Sequence, residues 1–317
     1  MIQPHPTWDI KDSSKLDTWL DCPRQYFFTY MMGWRIAQPA HDLYFGECWH
    51  RAREHQLLHG YADIAGAYSS FITHYRKVFD PESDNIYRPK DPVAVMLALQ
   101  KFADERRSDL EDNELLFTEI SGTVPIDTKG RVLHYRMDSV LRRKEDDKIF
   151  SFDHKSAKSF PRQWSEKFFL SIQNGTYTHC LYCLYPIDQV IGIEFCGTKF
   201  SYAKRKDEYS IEFQRVPAWK TPDQMNVWLW SVIDMLDNIE RETDRLMDCK
   251  EGDAVMMSFP MNTNSCTKYY GCAFHDYCMC WSNPLRYCDE PPLGFKIEYW
   301  DPSAMQTTNK MNLEWKE

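Results

Sequence analysis

After Ser13-Ser14, apolar residues return at helical spacing in Leu16, Trp19 and Leu20, and the serine pair offers an N-cap. The pattern predicts an amphipathic helix that carries Cys22 near its middle and is kinked or divided by Pro23. A second helix is expected over 46–79, broken near Gly60, and a third over 93–110. The period then changes. Strand-forming residues fill 115–126, and Lys129-Gly130 marks a turn. Residues 132–141 alternate as a second strand, and 148–154 follow the acidic turn Asp146-Asp147 as a third. A helix over 163–185 closes at Pro186, strands are expected over 190–200 and 209–216, and a long amphipathic helix covers 222–247. Helix, three strands, helix, strand is the order of an α/β core with a mixed sheet and extra helices before it.

The 317 residues suffice for a sizeable core, and 43% hydrophobic with 15% aromatic residues is a globular composition. No repeat or low-complexity run occurs. The first ten residues have no basic and apolar leader pattern, and no apolar stretch reaches the length of a membrane span, so a cytoplasmic protein without a membrane segment is expected. A net charge of −9 argues against wholesale binding of polyanions, so nucleic acid would have to meet a local basic surface. Candidates are Arg142-Arg143-Lys144, then Lys155 with Lys158 and Arg162, then Lys204-Arg205-Lys206, although such runs are commonly only solvated faces.

Asp138 lies inside the second strand, Asp153 ends the third, and Lys155 follows two residues on. Period-two geometry places Asp153 and Lys155 on one face, which Asp138 can share from the neighbouring strand. Two carboxylates and an ammonium suit a hard cation with a water-activating neighbour. A strand-end salt bridge would look the same. Glu119 can reach that face too, but a strand glutamate is most often exposed.

Eleven cysteines without a secretory leader are poor candidates for disulfides, and five of them, Cys266, Cys272, Cys278, Cys280 and Cys288, crowd the last quarter as a soft metal site would. Cys180 and Cys183 share a helix face with Tyr177 and Leu184, which reads as core packing. No phosphate-binding loop of the G-x-x-x-x-G-K-[ST] type and no duplex-reading motif are present.

Phe152-Asp153-His154-Lys155-Ser156 resembles the x-D-x-K-[ST] signature of PD-(D/E)XK nucleases, with Asp138 as the aspartate of the preceding strand. Gly46-Glu-Cys-Trp-His50 resembles the G-x-x-x-H element of their RecB-like branch, and Gln173-Asn-Gly-Thr-Tyr177 its Q-x-x-x-Y element. The opening Ser14-Lys-Leu-Asp-Thr-Trp-Leu-Asp-Cys22-Pro23 resembles that branch's start. The ordered set covers 13–278. It implies a restriction-endonuclease-like fold in a single domain, with a helical part to 112, a nuclease core over 113–220 and a C-terminal helix and cysteine tail over 221–317. It further implies that His50, Asp138 and Asp153 hold Mg²⁺ or Mn²⁺, helped by the carbonyl of His154. Lys155 would act on water and phosphate, and Gln173 and Tyr177 would contact DNA or brace the lysine.

With Cys22, the cysteines Cys266, Cys272 and Cys278 resemble the four-thiolate set of the iron–sulfur exonucleases, including CRISPR-associated RecB-like nucleases and the AddB nuclease domain. Zinc on four cysteines is the rival, and Cys280 or Cys288 could replace Cys266. The family usually has a glycine shortly before the second-strand aspartate, where this chain reads His134-Tyr135-Arg136-Met137. The implied activity is hydrolysis of DNA, as an exonuclease on ends or single strands. Alternatives are a non-catalytic DNA-end-binding or scaffold subunit of a recombination or CRISPR-adaptation complex, and a site-specific endonuclease.

Overall fold

A computed structural model describes residues 2–268, 271–304 and 309–315. Contacts divide the chain into two compact units that interleave along it: 1–38, 123–135 and 223–306 form one, and 39–122, 136–222 and 307–317 the other. Among the described residues no helix is long and apolar enough to cross a membrane.

In the first unit, α1 (Ser13–Asp21) starts where the Asp12 side chain accepts from the Lys15 N–H at 2.9 Å, so Asp12 is the cap rather than a serine. The helix does not run through Cys22. That residue is extended at φ −165°, and Pro23 occupies the first turn of α2 (Pro23–Tyr26), where a missing N–H costs nothing. Strand β1 (Trp34–Ile36) follows. Phe27, Phe28, Trp34, Phe259 and Phe274 are buried together, with the Phe28 and Trp34 rings stacked at 5.2 Å.

The second unit opens with α3 (His41–His59), which buries Phe45, Cys48, Trp49, Ala52 and Gln56 along one stripe and stops at Gly60, whose φ of 94° an L-residue rarely adopts. The break expected near Gly60 is therefore present. Asp63 caps α4 (Ile64–Tyr75) and Asp91 caps α5 (Pro92–Glu105), each through a main-chain N–H at 3.0 Å, and the short α6 (Ser108–Glu111) leads to the sheet.

The strands are β2 (Asn113–Pro125), β3 (Val132–Arg143), β4 (Ile149–Ala157), β5 (Val190–Ala203) and β6 (Glu208–Ala218). Between β4 and β5 lie α7 (Arg162–Phe169) and α8 (Ile172–Leu184), two helices where one was expected. Ser171 divides them by capping the Asn174 N–H at 3.2 Å. Helix α9 (Pro222–Asp248) carries the chain into the tail, which contains α10 (His275–Cys280) and β7 (Phe295–Ile297), antiparallel to β1. The two-residue β8 (Asn309–Lys310) ends the described strands.

The six-stranded sheet has the order β6-β5-β4-β3-β2-β8. β3 and β4 are antiparallel, β4 and β5 parallel, β5 and β6 antiparallel, and β8 is parallel to β2. This is the mixed sheet flanked by helices of a restriction-endonuclease-like core. Central β4 is buried at every position from Ile149 to His154, as a strand covered on both faces must be. Phe45, Trp49, Phe71, Tyr75, Val95 and Leu99 pack with Phe200 and Ile211 of β5 and β6, which fixes α3 against the sheet. That packing is what brings a polar residue of α3 near the strand carboxylates.

Candidate active site

The second unit collects His50, Glu119, Asp138, Asp153, Lys155, Gln173 and Tyr177. His50 projects from α3 one turn before the buried Arg53, and its Nδ1 lies 3.0 Å from Asp138 Oδ1. The other Asp138 oxygen, Oδ2, accepts the His154 main-chain N–H at 2.8 Å. Burial works against the charge of both partners. The Asp138 carboxylate nevertheless holds His50 above the ordinary histidine range, and His50 holds Asp138 well below the carboxylate range.

Asp153 is 1% exposed, and the Lys155 ammonium approaches both its oxygens, at 2.7 and 3.1 Å. Period-two geometry thus brings the two side chains together on β4. Burial pushes the Asp153 carboxyl up, against the neighbouring ammonium. Among the described residues, the trio whose ligand atoms all lie within 4.8 Å of one another is His50, Glu119 and Asp138. An imidazole and two carboxylates are a donor set that fits Mg²⁺ or, with its nitrogen, Mn²⁺.

Glu119 is the residue the sequence reading set aside as exposed. Its side chain is 13% exposed, with Arg136 Nε 3.6 Å away. The backbone explains the difference: Glu119 has φ 43°, a left-handed value that breaks the alternation of β2. Three residues on, Gly122 has φ 156°, and a Cβ there would sit 1.8 Å from the Met311 carbonyl oxygen, so the strand needs glycine to admit β8. That in-strand glycine was the available signal of an irregular strand. Burial first, then the Asp138 charge, pushes the Glu119 carboxyl up to about 7.

Gln173 and Tyr177 face one another on α8, Gln173 Nε2 donating to the Tyr177 hydroxyl at 2.9 Å. Tyr177 donates in turn to the Arg136 carbonyl of β3, two residues before Asp138. Their bond therefore runs to the strand that carries Asp138 rather than to Lys155. Arg136, which stands in the stretch where the family usually has glycine, both accepts that hydroxyl and approaches Glu119. Gly46 is under no steric demand, since a Cβ there would meet Ser156 Oγ at an ordinary 3.9 Å.

Most of the basic runs are engaged locally. Arg142 pairs with Glu114, Arg143 with Asp146, Lys158 with Asp42 and Arg162 with Glu166. Cys180 is fully buried and Cys183 half-buried on α8.

In the first unit, Cys22, Cys266, Cys272 and Cys278 line one cavity with Gln25, Met261, Asn262, Ser265, Phe274 and His275. The Asn262 main-chain N–H donates to Cys22 Sγ at 3.3 Å, and the Cys272 N–H to the Cys266 carbonyl at 2.9 Å. Cys280 is exposed, and Cys288 lines a different cavity, of about 580 Å³, with Cys249.

A mixed sheet carrying Asp138 and an Asp153–Lys155 pair on adjacent strands, with an acid-rich donor trio alongside, defines a nuclease-type core. A family model for the PD-(D/E)XK nuclease superfamily matches residues 13–279, and the chain belongs to that superfamily. A search of curated proteins returns no match.

Proposed function

We propose that this chain is a metal-dependent deoxyribonuclease of the RecB-like branch that degrades DNA from ends or single strands. The observation that carries the reading is the Asp153–Lys155 pair at 2.7 Å within the same unit as the His50–Glu119–Asp138 trio. A fold kept only as a scaffold has no use for a buried carboxylate locked to an ammonium beside three more cation donors. Here His50, Glu119, Asp138 and Asp153 hold Mg²⁺ or Mn²⁺, which when bound supplies Lewis acidity and an acidified water. Lys155 carries the positive charge that orients the scissile phosphate and offsets its developing negative charge. Tyr177 and Gln173 fix β3 so that Asp138 stays in register with Asp153. The missing phosphate-binding loop makes hydrolysis independent of ATP, and the missing duplex-reading motif favours ends over sequences.

The cysteine cavity is proposed to hold a 4Fe–4S cluster on Cys22, Cys266, Cys272 and Cys278. Four thiol donors on one cavity fit such a group. Tetrahedral zinc on the same four cysteines is the alternative, and the iron, sulfide and zinc content of the purified protein separates the two. Bound there, the cluster clamps the chain start to its tail and takes no part in hydrolysis.

End-labelled linear single- and double-stranded DNA and closed circular duplex, each with and without Mn²⁺, test the activity. Linear substrates should disappear only with the cation while the circle persists, and Asp153→Ala and Lys155→Ala should each abolish cleavage with the fold intact. Cutting of the closed circle at one position would point to the endonuclease alternative. Wild-type rates in either variant would refute the assigned site.

A further inference from the structure

Helix α7 brings a second lysine to the face of the sheet that carries Lys155. Across β4 and β5, Asp153 stands beside Phe195 and Lys155 beside Gly197, and side-by-side residues of paired strands share a face. Gly197 is where α7 comes down on that face. A Cβ there would run into the Trp164 indole and lie 2.8 Å from the Phe160 ring. Trp164 and Phe168, one turn apart on α7, are both buried with centroids 4.9 Å apart, and Phe168 stacks on Phe195 at 4.1 Å. An aromatic wall therefore stands beside the Asp153–Lys155 pair, and Lys155 Nζ rests 5.9 Å from the Phe195 centroid.

Lys167 lies on the same wall. Its Nζ is 4.9 Å from the Phe168 centroid and 6.0 Å from that of Trp164. Each of the two ammonium groups thus rests against one ring of a single stacked pair. The rings restrain the Lys167 stem while the side chain stays open to solvent. Among the described residues no carboxylate pairs with it. The other charges of α7 cancel, Arg162 with Glu166 at 2.6 Å, and Lys155 is taken up by Asp153. Partial burial against the rings, and then the like charge of Lys155, hold Lys167 below the ordinary lysine range. An ammonium left unpaired beside a like charge, in a chain of net charge −9, favours an anion at that spot.

We propose that Lys167 holds the phosphate next to the scissile one on the same nucleic-acid strand. This rests on the nuclease reading above and adds to it a strand contact made from α7. A point charge on a flexible stem reads no sequence, in keeping with the missing duplex-reading motif. A contact to a flanking phosphate is made alike before and during the reaction, so it lowers KM rather than raising kcat.

The test uses the full chain as wild type, Lys167→Gln and Lys167→Arg, with a fluorescent single-stranded DNA of about twelve nucleotides. Anisotropy with Ca²⁺ in place of Mn²⁺ gives the affinity from about 50 to 200 mM salt. Cleavage with Mn²⁺ gives kcat and KM. Lys167→Gln should bind about 5- to 10-fold more weakly at the lowest salt. The slope of log affinity against log salt should fall by about 0.7, the value of one single-strand phosphate contact. KM should rise by the same factor, and Lys167→Arg, which keeps the charge, should stay close to wild type in every readout. Because the side chain is exposed, both variants should melt with wild type, which separates a lost contact from a lost fold. Equal affinity and salt slope in Lys167→Gln and wild type overturn the proposal. So does an arginine variant that fails like the glutamine one, or a loss that appears in kcat alone. Wild type that neither binds nor cleaves the strand removes the nuclease reading itself, a result distinguishable before any variant is made.

Discussion

Replacing Glu119 by glutamine removes one charge from the centre of the acidic trio and keeps nearly the same volume. In the cation-free protein the Glu119 carboxyl titrates at about 7 instead of 4.5, chiefly because it is buried and then because Asp138 is beside it. A folded-state value above the unfolded one means that the folded protein binds the proton more tightly. Stability therefore falls as pH rises between the two values. The displacement from 4.5 to about 7 corresponds to about 3 kcal/mol at 1.36 kcal/mol per pH unit. His50 acts in the same direction, its stabilising charge being lost as pH rises through its raised value, but it is common to both proteins and largely cancels in the comparison. Glu119→Gln should therefore match wild type near pH 4.5 and be more stable by up to about 3 kcal/mol at pH 8 without cation.

Added Mn²⁺ should reverse that order. A ligand at about a hundred times its dissociation constant stabilises the state it binds by about 2.7 kcal/mol, and a protein that has lost one of its carboxylate donors gains less. Denaturant unfolding at pH 5, 6, 7 and 8, with and without Mn²⁺, reads both effects, and calorimetric titration gives the affinity directly. The reasoning fails if the stability difference between variant and wild type is independent of pH, or if Glu119→Gln gains as much from Mn²⁺ as wild type does. The first outcome would mean that Glu119 ionises normally in the folded protein, and the second that it is no ligand.

Two further outcomes follow from the same geometry. Tyr177→Phe strands the Gln173 amide and the Arg136 carbonyl, which should cost about 1–3 kcal/mol in unfolding experiments and lower kcat more than KM; an unchanged kcat would show that the α8 brace does not position Asp138. Cys272→Ser should lose the metal of the cysteine cavity and melt earlier, by the loop-closure effect of linking Cys22 to a tail more than 240 residues on; a colourless variant as stable as wild type would remove the clamp.

The parts of this architecture that were legible in the sequence are those governed by one local rule. The strand bearing Asp138 announces itself by alternation and the one bearing Asp153 by the acidic turn before it, and the pairing of Asp153 with Lys155 needs only a period of two. Gly60 ends α3 as a positive-φ residue should. What was not legible depends on two segments acting on each other. Glu119 turns inward because β2 becomes irregular where β8 joins it, through the Met311 N–H donating to the Ser121 carbonyl at 2.7 Å. No pattern within 115–126 encodes a partner almost two hundred residues away. The division of α7 from α8 is local, yet it hides in a run of helix-compatible residues until Ser171 is seen to cap Asn174. Cys22 looked like a helix-interior residue because Pro23 can end one helix or begin another, and only the extended backbone at Cys22 shows that it begins one.

A net charge of −9 and the proposed DNA substrate would be reconciled at the site rather than by the surface as a whole. Of the basic residues that could form a phosphate-binding face, Arg142, Arg143, Lys158 and Arg162 are paired with Glu114, Asp146, Asp42 and Glu166, while Lys204, Arg205 and Lys206 are exposed on the turn between β5 and β6. Lys155 is itself paired with Asp153, and Asp138 and Glu119 stand together with His50. Without a cation the carboxylates of Asp138, Asp153 and Glu119 are offset by Lys155, His50 and Arg136, which leaves no excess positive charge for phosphate; a divalent ion on the carboxylates would supply it while leaving the rest of the surface acidic. The same ion that supplies the chemistry would thus also gate the approach of the substrate, which makes metal dependence of DNA binding, and not of cleavage alone, the natural consequence of this arrangement.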